Sequence, residues 1–487
     1  MSSTGYSISK TSFLKFEQCN KAFFLYKTHP YLRDKLSKDK QLTFKRGHDV
    51  GFFAQQLFPG GRDVSKETKS SLQAAALTLT LIQEKLPVIY EATFLFNGVL
   101  IMADMLCLDN GKYTAYEVKS SIKISETYLK DAYLQYYVLK NSLVEFDDLY
   151  LVTLNSDYIL DTEIEAKKLF KKRSVKLKAE ENFPYFDHKI KEAHFLLEQN
   201  IIPNIGIGKQ CFRPYQCDFF GNCWKETISE KSIFNMPFLD KGLLFEWFHM
   251  GTKHIDQLTD ELLEKDLLIR VRNSFLNQKA IVQKEKIIRF LSDIKHPVAA
   301  MDMEIWSPAI PQLNGTKPFE QIPFLVCVFE GEKSSSFFIG NANDQRIEFA
   351  HQLIALTKHF ASILVYDKTM EINAINNLLN LAPELRLELD ALKSKMKDVF
   401  DVFLNLDYYH PGFKSNFSLK VVASTLLPEI NYSVIGSGLE AMNYYDQYRL
   451  ADNDLEKERI KAELIDYCNT DSEATFKIVD FLQKLVK

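Results

Sequence analysis

No apolar run in this chain approaches the roughly 20 residues that a membrane-spanning helix needs, which argues against an integral membrane protein. The opening stretch MSSTGYSISKTSFLKFEQC lacks the apolar core of a secretory signal, so the expected compartment is the cytoplasm. Charge of one sign is also missing. The 60 Lys and Arg face 64 Asp and Glu, for a net charge of −4, which excludes a histone-like or polybasic protein while leaving room for a local basic groove. There are no internal repeats and no low-complexity segments. No G-x-x-x-x-G-K-[ST] loop occurs, so the chain carries no ATP motor of its own and any unwinding must come from a partner. Cysteine is scarce, with seven residues in 487, yet three of them, Cys211, Cys217 and Cys223, fall within QCFRPYQCDFFGNCW. In a reducing compartment disulfides are rare and such a cluster points to a metal site.

What remains is an ordinary globular composition, 46% apolar and 25% charged, long enough for two or more domains. Residues 1–85 read as mostly helical. A β-meander follows: EATFLF, Asn97-Gly98, VLIMADMLCL, Asp109-Asn110-Gly111 and KYTAYEVKSS, with Asn-Gly turns between β-rich runs as the hairpin signal. Then come a helix (ETYLKDAYLQYYVLKNSL), a strand (DDLYLVTL), helix to about residue 200, and the cysteine segment. Residues 225–296 read as a helical connector, in which MGTKHIDQLTDELL is either a plain linker or a helix-hairpin-helix element. From 297 onward PVAAMDMEIW, IPFLVCVFE, SSSFFIG and ASILVYD read as strands, followed by helices that end in one long one. The expectation is an α/β protein with domains at 1–224 and 297–487 joined by 225–296.

Period-two alternation places Glu117 and Lys119 on one face of a strand, with Asp104 on its hairpin neighbour. Two carboxylates and a lysine suit metal-assisted phosphodiester cleavage, the acids holding Mg²⁺ or Mn²⁺ and the lysine stabilising charge. A solvated strand face would show the same three residues. Asp104, however, sits in an apolar strand where an unpaired carboxylate is costly. Upstream, His48 in FKRGHDVG lies on a helix, and downstream DAYLQYYVLK offers Gln135 and Tyr137. This order of helical His, Asp, E-x-K and a Gln/Tyr helix resembles the RecB-like PD-(D/E)xK nucleases, in particular the CRISPR-associated iron–sulfur nucleases and the AddB nuclease domain. The resemblance implies that His48, Asp104 and Glu117 bind metal, with backbone near Glu117 or Val118 completing the set. It makes Lys119 catalytic and Gln135 and Tyr137 substrate contacts. Glu91 matches an acidic position before the Asp strand. The family's tyrosine four residues after the glutamine is Leu139 here.

In the same family one cysteine lies near the N-terminus and three follow the nuclease core. The resemblance therefore implies that Cys19, Cys211, Cys217 and Cys223 hold a [4Fe–4S] cluster. The two x₅ spacings differ from the usual C-x₂-C step, and zinc is the alternative. Cys107, Cys327 and Cys468 read as single buried cysteines.

In the second half, Asp302 and Glu304 of MDMEIW share a strand face, and Tyr467 and Asp471 of YCNTD share a helix face. Asp367 and Glu371 lie between them, where a strand passes into a helix. D-x-E, an acidic middle motif and Y-x-x-x-D resemble the DEDD exonucleases of the DnaQ-like, RNase H fold, in their tyrosine subgroup. The resemblance implies that Asp302, Glu304, Glu371 (or its rival Asp367) and Asp471 bind two Mg²⁺ or Mn²⁺ ions. It gives Tyr467 the attacking water, with 3′–5′ release of mononucleotides. The two halves together resemble a bacterial two-nuclease family. The expected partner is nucleic acid, single-stranded or end-bearing DNA, with a helicase as a further partner and repair, processing or defence as the setting. The alternative is one active half with the other as a nucleic-acid grip or scaffold.

Overall fold

Asn97 and Asn110 adopt positive φ (48° each), and each is followed by a glycine with positive φ (72° and 79°). These are two-residue turns whose twist suits a hairpin, and asparagine and glycine enter that region most easily. They fold β3 (Val88–Phe96), β4 (Val99–Asp109) and β5 (Lys112–Lys119) into an antiparallel meander. The computed structural model describes residues 8–227, 229–340, 343–432 and 434–487. They form two units, Met1–Glu226 with Pro308–Phe319, and Thr227–Ser307 with Glu320–Lys487. No helix among the described residues is long and apolar enough to cross a membrane.

In the N-terminal unit the meander extends to a seven-stranded sheet. β1 (Ile8–Ser9) pairs parallel with β4, and β2 (Arg62–Asp63) pairs parallel with β3. Helix Glu126–Ser142 leads from β5 to β6 (Phe146–Leu154), which pairs parallel with β5, and β7 (Phe170–Ser174) closes the edge antiparallel to β6. Residues 170–174 were expected to be helical. FKKRS is an exposed edge strand without the apolar alternation of a half-buried one. One side of the sheet buries Ala115, Ala132 and Tyr136 with helix Glu126–Ser142. The other packs Tyr116 and Val118 against Val50 and Ala54 of helix Lys38–Ala54.

In the C-terminal unit the strand order is β11-β10-β9-β12-β13. β9 (Val298–Trp306), β10 (Ile322–Phe329) and β11 (Ser334–Phe338) are antiparallel, while β12 (Ser362–Val365) and β13 (Met396–Asp398) run parallel to β9. A two-stranded sheet pairs β8 (Ile281–Val282) with β14 (Tyr408–Tyr409). Helix Asp454–Val486 lies against β9 and β10. The stretch expected as a connector is helical but not separate. Ile233, Leu244, Trp247 and Val271 share one buried cluster with Leu364, Phe403 and Ile478. Residues 250–263 hold a short 3₁₀ turn (Ile255–Gln257) and a one-turn helix (Asp260–Leu263) rather than a pair of full helices.

Candidate functional site

Glu117 and Lys119 lie on the side of β5 that faces helix Glu126–Ser142. Lys119 Nζ donates to Glu117 Oε1 at 2.7 Å and to Asp131 Oδ2 of that helix. Lys10 Nζ donates to the same Glu117 oxygen at 2.7 Å and pairs with Asp131 at 3.6 Å. Burial pushes the Glu117 carboxyl up, but the two lysines outweigh it and hold it at about 2. Asp104 Oδ2 accepts the Val118 N–H at 2.6 Å. Burial, with Glu117 nearby, raises Asp104 to about 8. Between the strand pairs Tyr90–Met105 and Ala92–Ala103 the register skips Glu91 and Asp104, and Glu91 has φ 55°, a strained value for this residue. Burial and then Asp63 raise Glu91 to about 7.

Glu117 Oε2, Asp131 Oδ1 and both amide atoms of Gln135 are buried without a hydrogen-bond partner. Such atoms carry a desolvation cost that a ligand would relieve. Asp131 and Gln135 are four apart on one helix face, a spacing visible in DAYLQ that sequence reasoning left unused. Tyr137, two positions on, faces elsewhere: its ring packs on Phe183 and Phe96, and its hydroxyl donates to Asp187 at 3.3 Å. His48 is exposed on the helix covering the opposite side of the sheet. Among the described residues no set of three ligand atoms that includes His48, Asp104 or Glu117 lies within 4.8 Å of one another.

Cys19, Cys211, Cys217 and Cys223 line one pocket walled by Ile205, Ile207 and Phe219. Burial, together with the three neighbouring thiols, raises Cys217 to about 11. Segments distant in sequence are stapled together here. Gln18 donates to the carbonyls of Gln210 (2.7 Å) and Tyr215 (2.8 Å), Asp218 pairs with Lys15 and Arg33, and Asp34 accepts the Gly221 N–H. Four thiolates on one zinc ion would sit about 3.8 Å apart. Among the described residues no three of these sulfurs lie within 4.8 Å of one another.

In the C-terminal unit Asp302 and Glu304 project from the same side of β9. One oxygen of each lies within 4.8 Å of the other and of Cys468 Sγ. Helix Asp454–Val486 docks on β9 through the Cys468 thiol, which donates to the Asp302 carbonyl at 3.4 Å, and this seats Tyr467 and Asp471 beside the strand. Burial and then Asp471 raise Asp302 to about 8, while burial alone raises Asp471 to about 6 against the Tyr432 hydroxyl that donates to it. Burial, with Asp302 next, raises both Glu304 and Glu371 well above the usual range. Glu371 Oε2 is buried and unpartnered. Asp367 is different. It is exposed, has φ 59°, and accepts the Thr369 N–H and hydroxyl at 3.4 and 2.7 Å, while its own N–H donates to Asp398 at 2.9 Å. Of the two rivals, Glu371 faces the acids and Asp367 shapes the turn. Lys420 was missed: its Nζ donates to the Tyr467 hydroxyl at 2.9 Å and lies over the Tyr467 and Tyr432 rings.

Residues 299–418 match a family model described as a domain of unknown function (DUF2779). That match includes Asp302, Glu304, Asp367 and Glu371 and stops short of Tyr467 and Asp471. No curated protein and no solved structure matches the chain.

Proposed function

We propose that the protein is a metal-dependent nuclease that hydrolyses phosphodiester bonds of DNA, with one site in each unit. The observation that carries this reading is the gathering of Asp302, Glu304, Glu371 and Asp471 in the C-terminal unit. Their carboxyls are all pushed upward, and Glu371 has a buried oxygen without a partner. Packing acids this closely is costly unless cations share the space. The donor set, all oxygen apart from one thiol, suits Mg²⁺ or Mn²⁺. The strand order, three antiparallel strands followed by two parallel ones, is also what an RNase H-like fold requires.

Asp302, Glu304, Glu371 and Asp471 would hold the ions. Bound ions supply an acidified water and neutralise charge on the phosphate. Tyr467 acts through its hydroxyl. Burial and the surrounding carboxylates make it hold its proton tightly in the metal-free protein, and from that place it can orient the attacking water. Lys420 fixes that hydroxyl in place.

In the N-terminal unit Asp104 and Glu117 would hold an ion. Lys119, kept protonated by Glu117 and Asp131 against the opposing effect of burial, acts as a cation facing the substrate. The unpartnered Gln135 amide offers hydrogen bonds to it. The four-cysteine pocket would hold a [4Fe–4S] cluster whose role is to tie the first helices to the end of the unit.

The test is digestion of end-labelled single-stranded DNA and RNA with Mn²⁺ or Mg²⁺, using protein purified without oxygen. Glu304→Gln and Lys119→Ala are made separately and together. Each single variant should lose one component of cleavage and the double variant both. Equal cleavage by wild type and double variant would sink the reading.

A further inference from the structure

Lys10 is the first residue of helix Lys10–Gln18, and its place is fixed from three directions. Before it, β1 pairs with Val99 and Leu100 of β4. At the helix start a capping box ties Ser9 to Ser12, with Ser9 N–H donating to Ser12 Oγ at 2.8 Å and Ser12 N–H to Ser9 Oγ at 3.2 Å. At the other end the helix stops at Cys19, a member of the four-cysteine pocket, and Lys15 and Gln18 are held by the loop that carries the other cysteines. A lysine at a free helix start would wander. This one is delivered to Glu117, 107 positions away in sequence.

The two lysines at Glu117 are not equivalent. Lys119 is bound on both sides, by Glu117 and Asp131, and its side chain is 15% exposed. Lys10 hydrogen-bonds Glu117 only, approaches Asp131 at ion-pair distance, and keeps 26% of its side chain accessible. An ammonium group has three donors, so Lys10 has donor capacity left. Charge gives the reason for a second lysine. Glu91, Asp104, Glu117 and Asp131 would repel a phosphodiester. With all four ionised, two lysines and one divalent ion cancel them. Without Lys10 the pocket is net negative and repels its own substrate.

We propose that Lys10 is a substrate-binding residue of the N-terminal site that contacts a backbone phosphate at the cut, positioned there by the helix that ends in Cys19. This rests on the reading of Asp104, Glu117 and Lys119 as a nuclease site.

The experiment uses the full chain, purified without oxygen, with Asp302→Asn and Asp471→Asn to silence the other site. Binding of a fluorescein-labelled single-stranded DNA is followed by anisotropy with Ca²⁺ in place of the catalytic ion, cleavage is followed in Mn²⁺, and urea unfolding is measured alongside. Lys10→Ala should weaken binding about ten-fold or more, the usual loss for a hydrogen bond to a charged group. Lys10→Arg should restore most of it. A DNA carrying one methylphosphonate at the cut phosphate should bind the parent less well than ordinary DNA, and this penalty should shrink in Lys10→Ala. Unchanged binding and cleavage in Lys10→Ala would overturn the proposal while leaving the nuclease reading intact. So would a full methylphosphonate penalty in Lys10→Ala, or a loss matched by weaker folding that Lys10→Arg does not repair. A parent that neither binds nor cuts DNA would overturn the nuclease reading of the N-terminal site, and the role of Lys10 with it.

Discussion

Replacing Cys19 by Ala should destabilise the N-terminal unit far more than replacing Cys217, although both cysteines line the same pocket. Cys19 is separated from Cys211 by nearly the whole unit, so a cluster bound to both closes a loop of about 190 residues, which restricts the unfolded chain by about 5 kcal/mol in the chain-entropy treatment of a cross-link. Loss of Cys217 leaves that long loop closed and opens only loops of about six residues, worth about 2 kcal/mol in the same terms. The hydrogen bonds of Gln18 and the Asp218 ion pairs stay in place in both variants, so they do not blur the comparison. The assay is urea unfolding of anaerobic protein at measured iron content, read from amide protection of helices Lys10–Gln18 and Asn20–Thr28. Equal midpoints for the two variants at equal iron content would refute the closure argument. A Cys19→Ala protein as stable as wild type would refute Cys19 as a ligand.

In the C-terminal unit Glu371→Gln should silence 3′–5′ digestion by orders of magnitude while Asp367→Asn leaves much of it, as measured on end-labelled DNA in a Lys119→Ala background; the reverse pattern would exchange their roles. Lys119→Ala, in a protein already lacking Asp302 and Asp471, should abolish the remaining cleavage yet keep Mn²⁺ binding by calorimetry, because the lysine is no ligand. Metal-free protein should lose stability as pH rises. Asp471 and Asp302 have folded values of about 6 and about 8, above the ordinary 3.8, so their contribution is full below about pH 4 and is lost as pH climbs through 6 and then 8. Thermal unfolding from pH 5 to 9 in EDTA reads this, and added Mn²⁺ should flatten the slope. Tyr467→Phe should lower turnover with ion affinity kept, and Lys420→Ala should act in the same direction through the hydroxyl it holds.

The local features were legible in the sequence. The meander turns were readable because Asn-Gly fixes its own backbone, and Glu117 with Lys119, or Asp302 with Glu304, because period two needs only neighbours. Asp131 was within reach, one helical turn before Gln135. Lys10 was not, since nothing near it in sequence announces a partner 107 positions on. β7 and β13 escaped for a related reason: FKKRS and MKD have little apolar pattern and become strands through pairing with β6 and β12. The stretch 225–296 read as a connector because its charged helices hide how many of their apolar residues meet distant ones such as Leu364 and Ile478. Asp367 and Glu371 were separable only once burial was known.

Cys468 sets a soft sulfur within 4.8 Å of two hard oxygen donors. Magnesium has little use for a thiol, but zinc and cadmium bind sulfur and carboxylate together with high affinity. The helix contact that seats Tyr467 and Asp471 therefore also offers thiophilic ions a sulfur beside the acids. Traces of such ions would compete with the metals proposed to bind here, and a Cys468→Ser protein should tolerate them better. Metal hygiene in the surrounding medium thus becomes a condition on whatever chemistry this cleft performs.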